Sequence, residues 1–425
     1  MPARRWQLSN GLPVVAVTGV EQPVLKVELI VDAGRPFEPR KLISALTDDL
    51  LTEGTRHRSA AEVEAFFEHF GTSLRQPDLM DTNNLSLSTI HRRAAEVLPV
   101  MAEVAISPSF SVEGFERMLR RRKQNLRENL ADNDTLAYRL ITEAIFGSHH
   151  PYGYNSYLDS FEGIGPEDLV AFHRQTYHAG NATLFVAGNV TPAIEKLLDE
   201  TFGQMPSGGS VPAPTLLAKP TQPRLLQLSR PRAQQSMIRR GRSGIQITNP
   251  DYPGLVVLDT VFGGYFGSRL MRNIREEKGF TYGIESDLEV YRFDGTFGVS
   301  ADVANESLVE VRREIDLEVE KLLQDPVPAP ELDMVRAYLS GNIAMGLDGV
   351  LGHAYRYRAA LIKDYDANDY LQRLEDTVLH ITPAELQDLA QRYLCPGQDS
   401  EVIVGGAPPV DGVEMVLDVE RPLDV

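Results

Sequence analysis

Ile381-Thr-Pro-Ala-Glu-Leu386 begins a helical pattern that runs to Tyr393, after which Glu401-Val-Ile-Val-Gly-Gly406 reads as a strand closed by glycine. The same order is written earlier in the chain: Ile164-Gly-Pro-Glu-Asp-Leu169, a helical pattern to Tyr177, then Ala182-Thr-Leu-Phe-Val-Ala-Gly188. The two prolines, Pro166 and Pro383, lie 217 residues apart. Each suits a first helical turn, where the missing N–H has no partner to lose. A second pair repeats as well. A helix expected from Gly114 to Ala131 precedes "AYRLITEAIF", and one from Glu331 to Met345 precedes "HAYRYRAALI". The pattern is that of one duplicated α+β domain, not of a short-period solenoid.

Around these anchors the first half alternates strand and helix signals. Pro13-Val-Val-Ala-Val17 and Val24-Leu-Lys-Val-Glu-Leu-Ile-Val31 are rich in β-branched residues and are separated by "TGVEQP", which reads as a hairpin. Helices are expected over Leu42–Leu51, Ala60–His69 and Ala94–Ala105, and a further strand over Asp81–Thr89. The stretch Pro206-Ser-Gly-Gly-Ser-Val-Pro-Ala-Pro214, continuing to Pro220 and Pro223, supports no regular element and marks a boundary. The expected organisation is an N-terminal domain over 1–205, a linker over 206–224 and a C-terminal domain over 225–425. Each domain is expected to be a largely antiparallel sheet with a helical layer, an α+β fold.

Composition narrows the function classes. The chain has 425 residues, 42% of them apolar, enough for two cores. A net charge of −18 argues against nucleic acid and anionic membrane surfaces as partners. The single cysteine, Cys395, excludes an internal disulfide and a cysteine-based zinc site. It reads as a small buried or half-buried thiol. No apolar run has the length of a membrane span. The opening MPARRWQLSNGLPVV has two arginines and then a polar turn, without the apolar core of a signal peptide. The expectation is a cytoplasmic chain, or a periplasmic one where a leader has been removed.

The search for chemistry begins at Ala45-Leu-Thr-Asp-Asp-Leu-Leu-Thr-Glu-Gly-Thr55, which sets Asp48 and Asp49 side by side in an apolar helical run. From the residues alone they fit an acid pair, metal ligands, a solvated face or the remains of a site. None of the nine histidines has a partner at i+4, the spacing that puts two imidazoles on one helix face. His149 and His150, in "GSHHPYG", read as surface turn residues. The "FGGYFGS" stretch lacks the Lys-Ser/Thr of a phosphate loop. The basic run Arg117–Lys123 reads as a solvated or ion-paired helix face.

The most informative stretch is Gly263-Gly-Tyr-Phe-Gly-Ser-Arg-Leu-Met-Arg-Asn-Ile-Arg-Glu-Glu-Lys-Gly-Phe-Thr-Tyr-Gly283. Glycines permit close backbone approach. A helix expected over Ser268–Lys278 turns Leu270, Met271 and Ile274 inward and stops at Gly279. Arg275 falls in its last turn and Tyr282 just beyond, so both can donate to one carbonyl oxygen or oxyanion.

This stretch resembles the arginine/tyrosine motif of pitrilysin/insulinase-type zinc peptidases, a group that includes mitochondrial processing peptidase and bacterial two-subunit relatives. "SRLMRNIREEKGFTYGIES" matches it nearly throughout, with Arg275 and Tyr282 separated by six residues. "RWQLSNGLPVV", "VDAG", "TEGTRHRSAAEVEAFFEHFGTSL", "FGSHHPYG" and "NPDYPGLVVLDTVFGG" resemble other landmarks in family order, so the likeness spans essentially the whole chain. Two related α+β domains forming half of a clamshell are what the resemblance implies. Active members carry His-x-x-Glu-His before Gly-Thr, two histidines binding zinc and the glutamate activating water. Here those positions are Ala45, Leu46, Thr47, Asp48 and Asp49. The third ligand, a glutamate, should fall within Lys123–Arg127, which has no carboxylate, although Glu128 is adjacent.

The chain therefore resembles the family's non-zinc subunit, with no metal or cofactor of its own. What the resemblance implies is a heterodimer. A homologous subunit with His-x-x-Glu-His supplies zinc, while Arg275 and Tyr282 bind the substrate carbonyl of an unfolded peptide and stabilise its oxyanion. Two other readings remain: a structural scaffold relative without a catalytic role, and a self-sufficient enzyme using Asp48 and Asp49 with another metal. The intact Arg/Tyr spacing argues against the scaffold. Chelator-sensitive peptidase activity from the chain alone would identify the self-sufficient enzyme.

Overall fold

The computed structural model of the chain describes residues 2–19 and 22–419. The first half contains β1 (Arg4–Gln7), β2 (Pro13–Thr18), β3 (Val24–Val31), α1 (Ile43–Leu51), α2 (Ala60–His69), β4 (Asn83–Ile90), α3 (Ala94–Ile106), α4 (Val112–Asn129), α5 (Asn133–Phe146), α6 (Pro166–Thr176), β5 (Ala182–Gly188) and α7 (Pro192–Phe202). The second contains β6 (Leu225–Ser229), β7 (Gln235–Ser243), α8 (Tyr252–Phe262), β8 (Thr281–Val290), β9 (Gly295–Ala304), α9 (Leu308–Gln324), α10 (Ala329–Gly346), α11 (Gly349–Lys363), α12 (Ala367–His380), α13 (Pro383–Tyr393), β10 (Ser400–Gly405) and β11 (Glu414–Met415). The two helices that anchor the internal repeat, α6 and α13, both begin with proline and lead into β5 and β10. No helix among the described residues is long and apolar enough to cross a membrane.

Each half contributes one sheet. The first has the order β1-β2-β5-β3-β4 and the second β11-β6-β10-β7-β9-β8. In both, the strand after the repeat helix enters the middle of the sheet. β5 runs parallel to β2 and antiparallel to β3; β10 runs parallel to β6 and antiparallel to β7. This corrects the expected hairpin. β2 and β3 are strands at the expected positions, but β5 lies between them, and the true hairpin is β1–β2, closed by Leu8–Leu12. Residues 20 and 21 of "TGVEQP" lie outside the described residues. A short polar connection permits a hairpin but does not require one, because the partner that buries more apolar surface wins.

The chain packs as two compact units, and these exchange segments. One comprises Met1–Leu126, Ser156–Leu216 and Gly346–Ile362; the other comprises Arg127–Asn155, Leu217–Met345 and Lys363–Val425. The packed units differ from the expected spans 1–205 and 225–425, because each takes in one helix from the other half of the chain. In the second unit, α8, α9 and α13 cover one face of the sheet around Ile238, Val299, Ala301 and Ile403. The borrowed α5 covers the opposite face, where Asp134 meets Arg239 and Ile145 approaches Gly241. In the first unit, the borrowed α11 places Arg358 against the wholly buried Glu28 of β3, with Nε at 2.8 and 2.6 Å from the two carboxylate oxygens.

Candidate functional site

The Arg/Tyr stretch is built onto the second unit by close backbone contact. α8 ends at Phe262, and the N–H groups of Gly263 and Gly264 both donate to the Asp259 carbonyl, at 2.9 and 2.8 Å. A Cβ on Gly263 would lie 2.4 Å from the backbone nitrogen of Ser286 on β8, and one on Gly264 would lie 2.6 Å from Asp259 Oδ2. No other residue fits this junction. Ser286 donates its hydroxyl to the Asp259 carboxylate at 2.6 Å. Burial pushes the Asp259 carboxyl up to about 7, with the Ser286 bond pulling the other way and Asp287 and Glu285 adding to the rise.

The helix that follows presents Leu270, Met271 and Ile274 to the core, as the sequence predicts, but residues Met271–Glu277 are wound as a π-helix. Such wider turns are frequent at functional sites. Its basic residues are almost all paired. Arg269 holds Glu331 through two bonds of 2.9 Å, Arg272 meets the same carboxylate at 3.1 Å, and Lys278 pairs with Glu314. Arg275 differs. Among the described residues its guanidinium has no hydrogen bond or ion pair, and its one contact is with the Phe266 ring, 4.5 Å from Cζ to centroid.

Gly279, at φ +67°, ends the helix, as expected of a left-handed C-terminal glycine. The register of β8 on β9 then shifts between Thr281 and Ile284. The Thr281 hydroxyl fixes this bulge by accepting from Gly283 N at 3.1 Å and donating to the Asp302 carbonyl. A bulge re-aims a side chain, and here it turns Tyr282 outward, 89% exposed. β8 is an edge strand. Tyr282, Phe266, Met271, Gly263 and Gly264 line an open groove of 710 Å³ beside it.

At α1, Leu46 and Leu50 enter the core and turn Ala45, Asp48 and Asp49 to the other side. Asp49 is taken up by Arg122 of α4, whose Nη2 lies 2.8 Å from Oδ1 while Nε reaches Oδ2. Asp48 Oδ1 is buried without a hydrogen-bond partner. Its carboxyl is pushed up to about 8 by burial first and the Asp49 charge second, with Gln76 and Arg122 opposing. Burial, aided by Asp48, also pushes the Tyr177 phenol well up. The basic run is the ion-paired lattice expected of it: Arg117 and Arg121 both hold Glu53.

Comparison with known proteins shows what the chain resembles. Residues 163–339 match the peptidase M16 inactive domain. Among its relatives, the uncharacterised zinc protease YmxG of Bacillus subtilis is 22% identical over 81% of this chain and 84% of its own length. The probable inactive metalloprotease YmfF of the same organism is 21% identical over 66% and 67%. In fold, the chain is similar to a crystallised peptidase M16 inactive domain from Pseudomonas fluorescens. That match has a TM-score of 0.86 and 21% identity and covers 96% of this chain and 99% of the other.

The zinc that active M16 peptidases hold does not fit α1 of this chain. Ala45 has no donor atom, Asp48 keeps its proton at neutral pH, and Asp49 is saturated by a guanidinium. Among the described residues no group of three or more His, Cys, Asp or Glu is placed to hold a metal ion. Sequence reasoning sought a third carboxylate in Lys123–Arg127 and missed Arg122, one residue earlier. The available signal was the basic run itself, since a cation on α4 is what Asp49 needs. His149 is exposed, but His150 is 2% exposed and stacks on Phe146 at 5.1 Å, which corrects its reading as a surface residue. Burial lowers its pKa.

Proposed function

We propose that this M16 relative is the non-zinc subunit of a heteromeric metallopeptidase, supplying Arg275 and Tyr282 to a substrate held at the zinc site of a homologous partner. One observation carries the reading: among the described residues the Arg275 guanidinium has no hydrogen-bond or ion-pair partner, in a helix whose other arginines are paired, and the next bulge turns the Tyr282 phenol into solvent. Donors left to water in this way are free to turn to a ligand oxygen when one arrives. A scissile carbonyl is such an oxygen, and its charge grows in the transition state, where preorganised donors matter most. The exposed N–H and C=O groups of β8 offer an extended peptide main-chain pairing without strong sequence demands. The partner's metal supplies the activated water; this chain binds, orients and stabilises.

The test is an assay of unfolded-peptide cleavage by the chain alone, by a His-x-x-Glu-His homologue alone, and by the mixture. Activity confined to the mixture supports the proposal. A mixture no more active than the zinc-bearing homologue supports the scaffold reading. Chelator-sensitive activity from the chain alone overturns both.

A further inference from the structure

We propose that Phe266 is a positioning residue for Arg275, a platform that confines the guanidinium beside the groove without consuming its N–H donors. The inference rests on the role given to Arg275 above. Phe266 is 61% exposed, next to the groove it helps to line, although burial would be the ordinary fate of its ring. Its direction is fixed from both sides. Before it, Tyr265 packs on Tyr338 at 4.7 Å between centroids and donates its hydroxyl to the Met334 sulfur at 3.7 Å. After it, a Cβ on Gly267 would lie 2.8 Å from the Tyr265 ring, so a larger residue there would push that ring off Tyr338. Gly263 and Gly264 pin the start of the same loop against β8 and α8.

The loop thus immobilises Tyr265 and leaves the next ring under the arginine. A carboxylate would hold a guanidinium as firmly, as Glu331 holds Arg269, but would occupy the N–H groups that an oxyanion requires. An aromatic face attracts the cation through its π-cloud and leaves the N–H edge open. A long flexible side chain is thereby oriented in advance, which reduces the ordering cost when substrate binds.

Two measurements test this. In the isolated chain with 15N-labelled arginine, the Nε–Hε resonance of Arg275 is expected to be ring-current shifted. That shift should be lost in Phe266→Leu and kept in Phe266→Trp. In the assembled peptidase, Phe266→Leu is expected to lower kcat about threefold with KM little changed, as befits loss of an exposed cation–π contact, and Phe266→Trp to restore it. In an Arg275→Ala background, Phe266→Leu should cost nothing more. An unshifted resonance, or an equal loss in the Arg275→Ala background, overturns the platform. Full turnover by Arg275→Ala instead overturns the oxyanion role and with it the catalytic value of Phe266, while the spectrum still decides whether the ring orients the arginine.

Discussion

Arg275 and Tyr282 lie close in sequence but in two different backbone settings: the arginine in a π-helical turn, where it is half-buried, and the tyrosine at a β-bulge, where it is exposed. In the heteromeric peptidase proposed above, Arg275→Ala or Tyr282→Phe should lower turnover by roughly 10²–10³, the usual consequence of removing an oxyanion donor. Tyr282→Phe is the sharper measurement because only a hydroxyl is lost, and normal turnover by that variant would end its assigned role. At α1 the chemistry is that of stability. Asp48, raised to about 8, holds a proton in the folded chain that the unfolded chain releases above about pH 4. Stability from this site is therefore complete below about pH 4 and drains as pH rises toward 8. Asp48→Asn removes that titration. In urea denaturation, the variant should gain on the wild type by about 1 kcal/mol per pH unit across the window from about pH 5 to 8. A constant difference would mean that Asp48 is already ionised.

Among the elements, the helices were the most legible. Ala60–His69 matches its expected bounds, and α1, α3 and β4 lie within a residue or two of theirs, because apolar periodicity and caps are local properties. The hairpin expectation failed because strand order is set by what inserts between two strands, here β5 from far along the chain. The π-helix was also unreadable, since its apolar positions fit an ordinary helix. The glycine junction after α8 shows what a single element tolerates. Gly263→Ala would drive a methyl into the Ser286 backbone and push the loop off β8. We expect a loss of about 1–3 kcal/mol in denaturation experiments, typical of overpacking, together with reduced turnover, because Phe266 and Arg275 follow the loop.

At the scale of the whole molecule, the duplication is completed by exchange. α5 and α11 occupy matching places in the repeat, and each packs in the unit built on the other half's sheet. Fragments cut at the linker, 1–216 and 217–425, each lose a borrowed helix. Each fragment alone should therefore show a broad, non-cooperative thermal transition, and co-expression should restore a cooperative one. Cooperative unfolding of either fragment alone would show the exchange to be dispensable. The bond most exposed to this logic is Arg358–Glu28, which also involves Asn84 at 2.6 Å. Arg358→Met leaves a buried carboxylate whose remaining ion-pair partner among the described residues is Lys26, at 3.7 Å. It should cost about 3–5 kcal/mol in urea titrations, part of which Glu28→Gln recovers in the double variant.

By itself the sequence determined the duplication, the α+β class, the absence of histidine from Ala45–Asp49, and the Arg/Tyr spacing, because each is a matter of residue type at fixed intervals. Only the tertiary structure decided that Arg122 pairs with Asp49, that Phe266 lies under Arg275, and that the halves trade helices. Those are contacts between residues that may be adjacent in space at any separation in the chain, and they are chosen by the burial and charge pairing of the assembled fold.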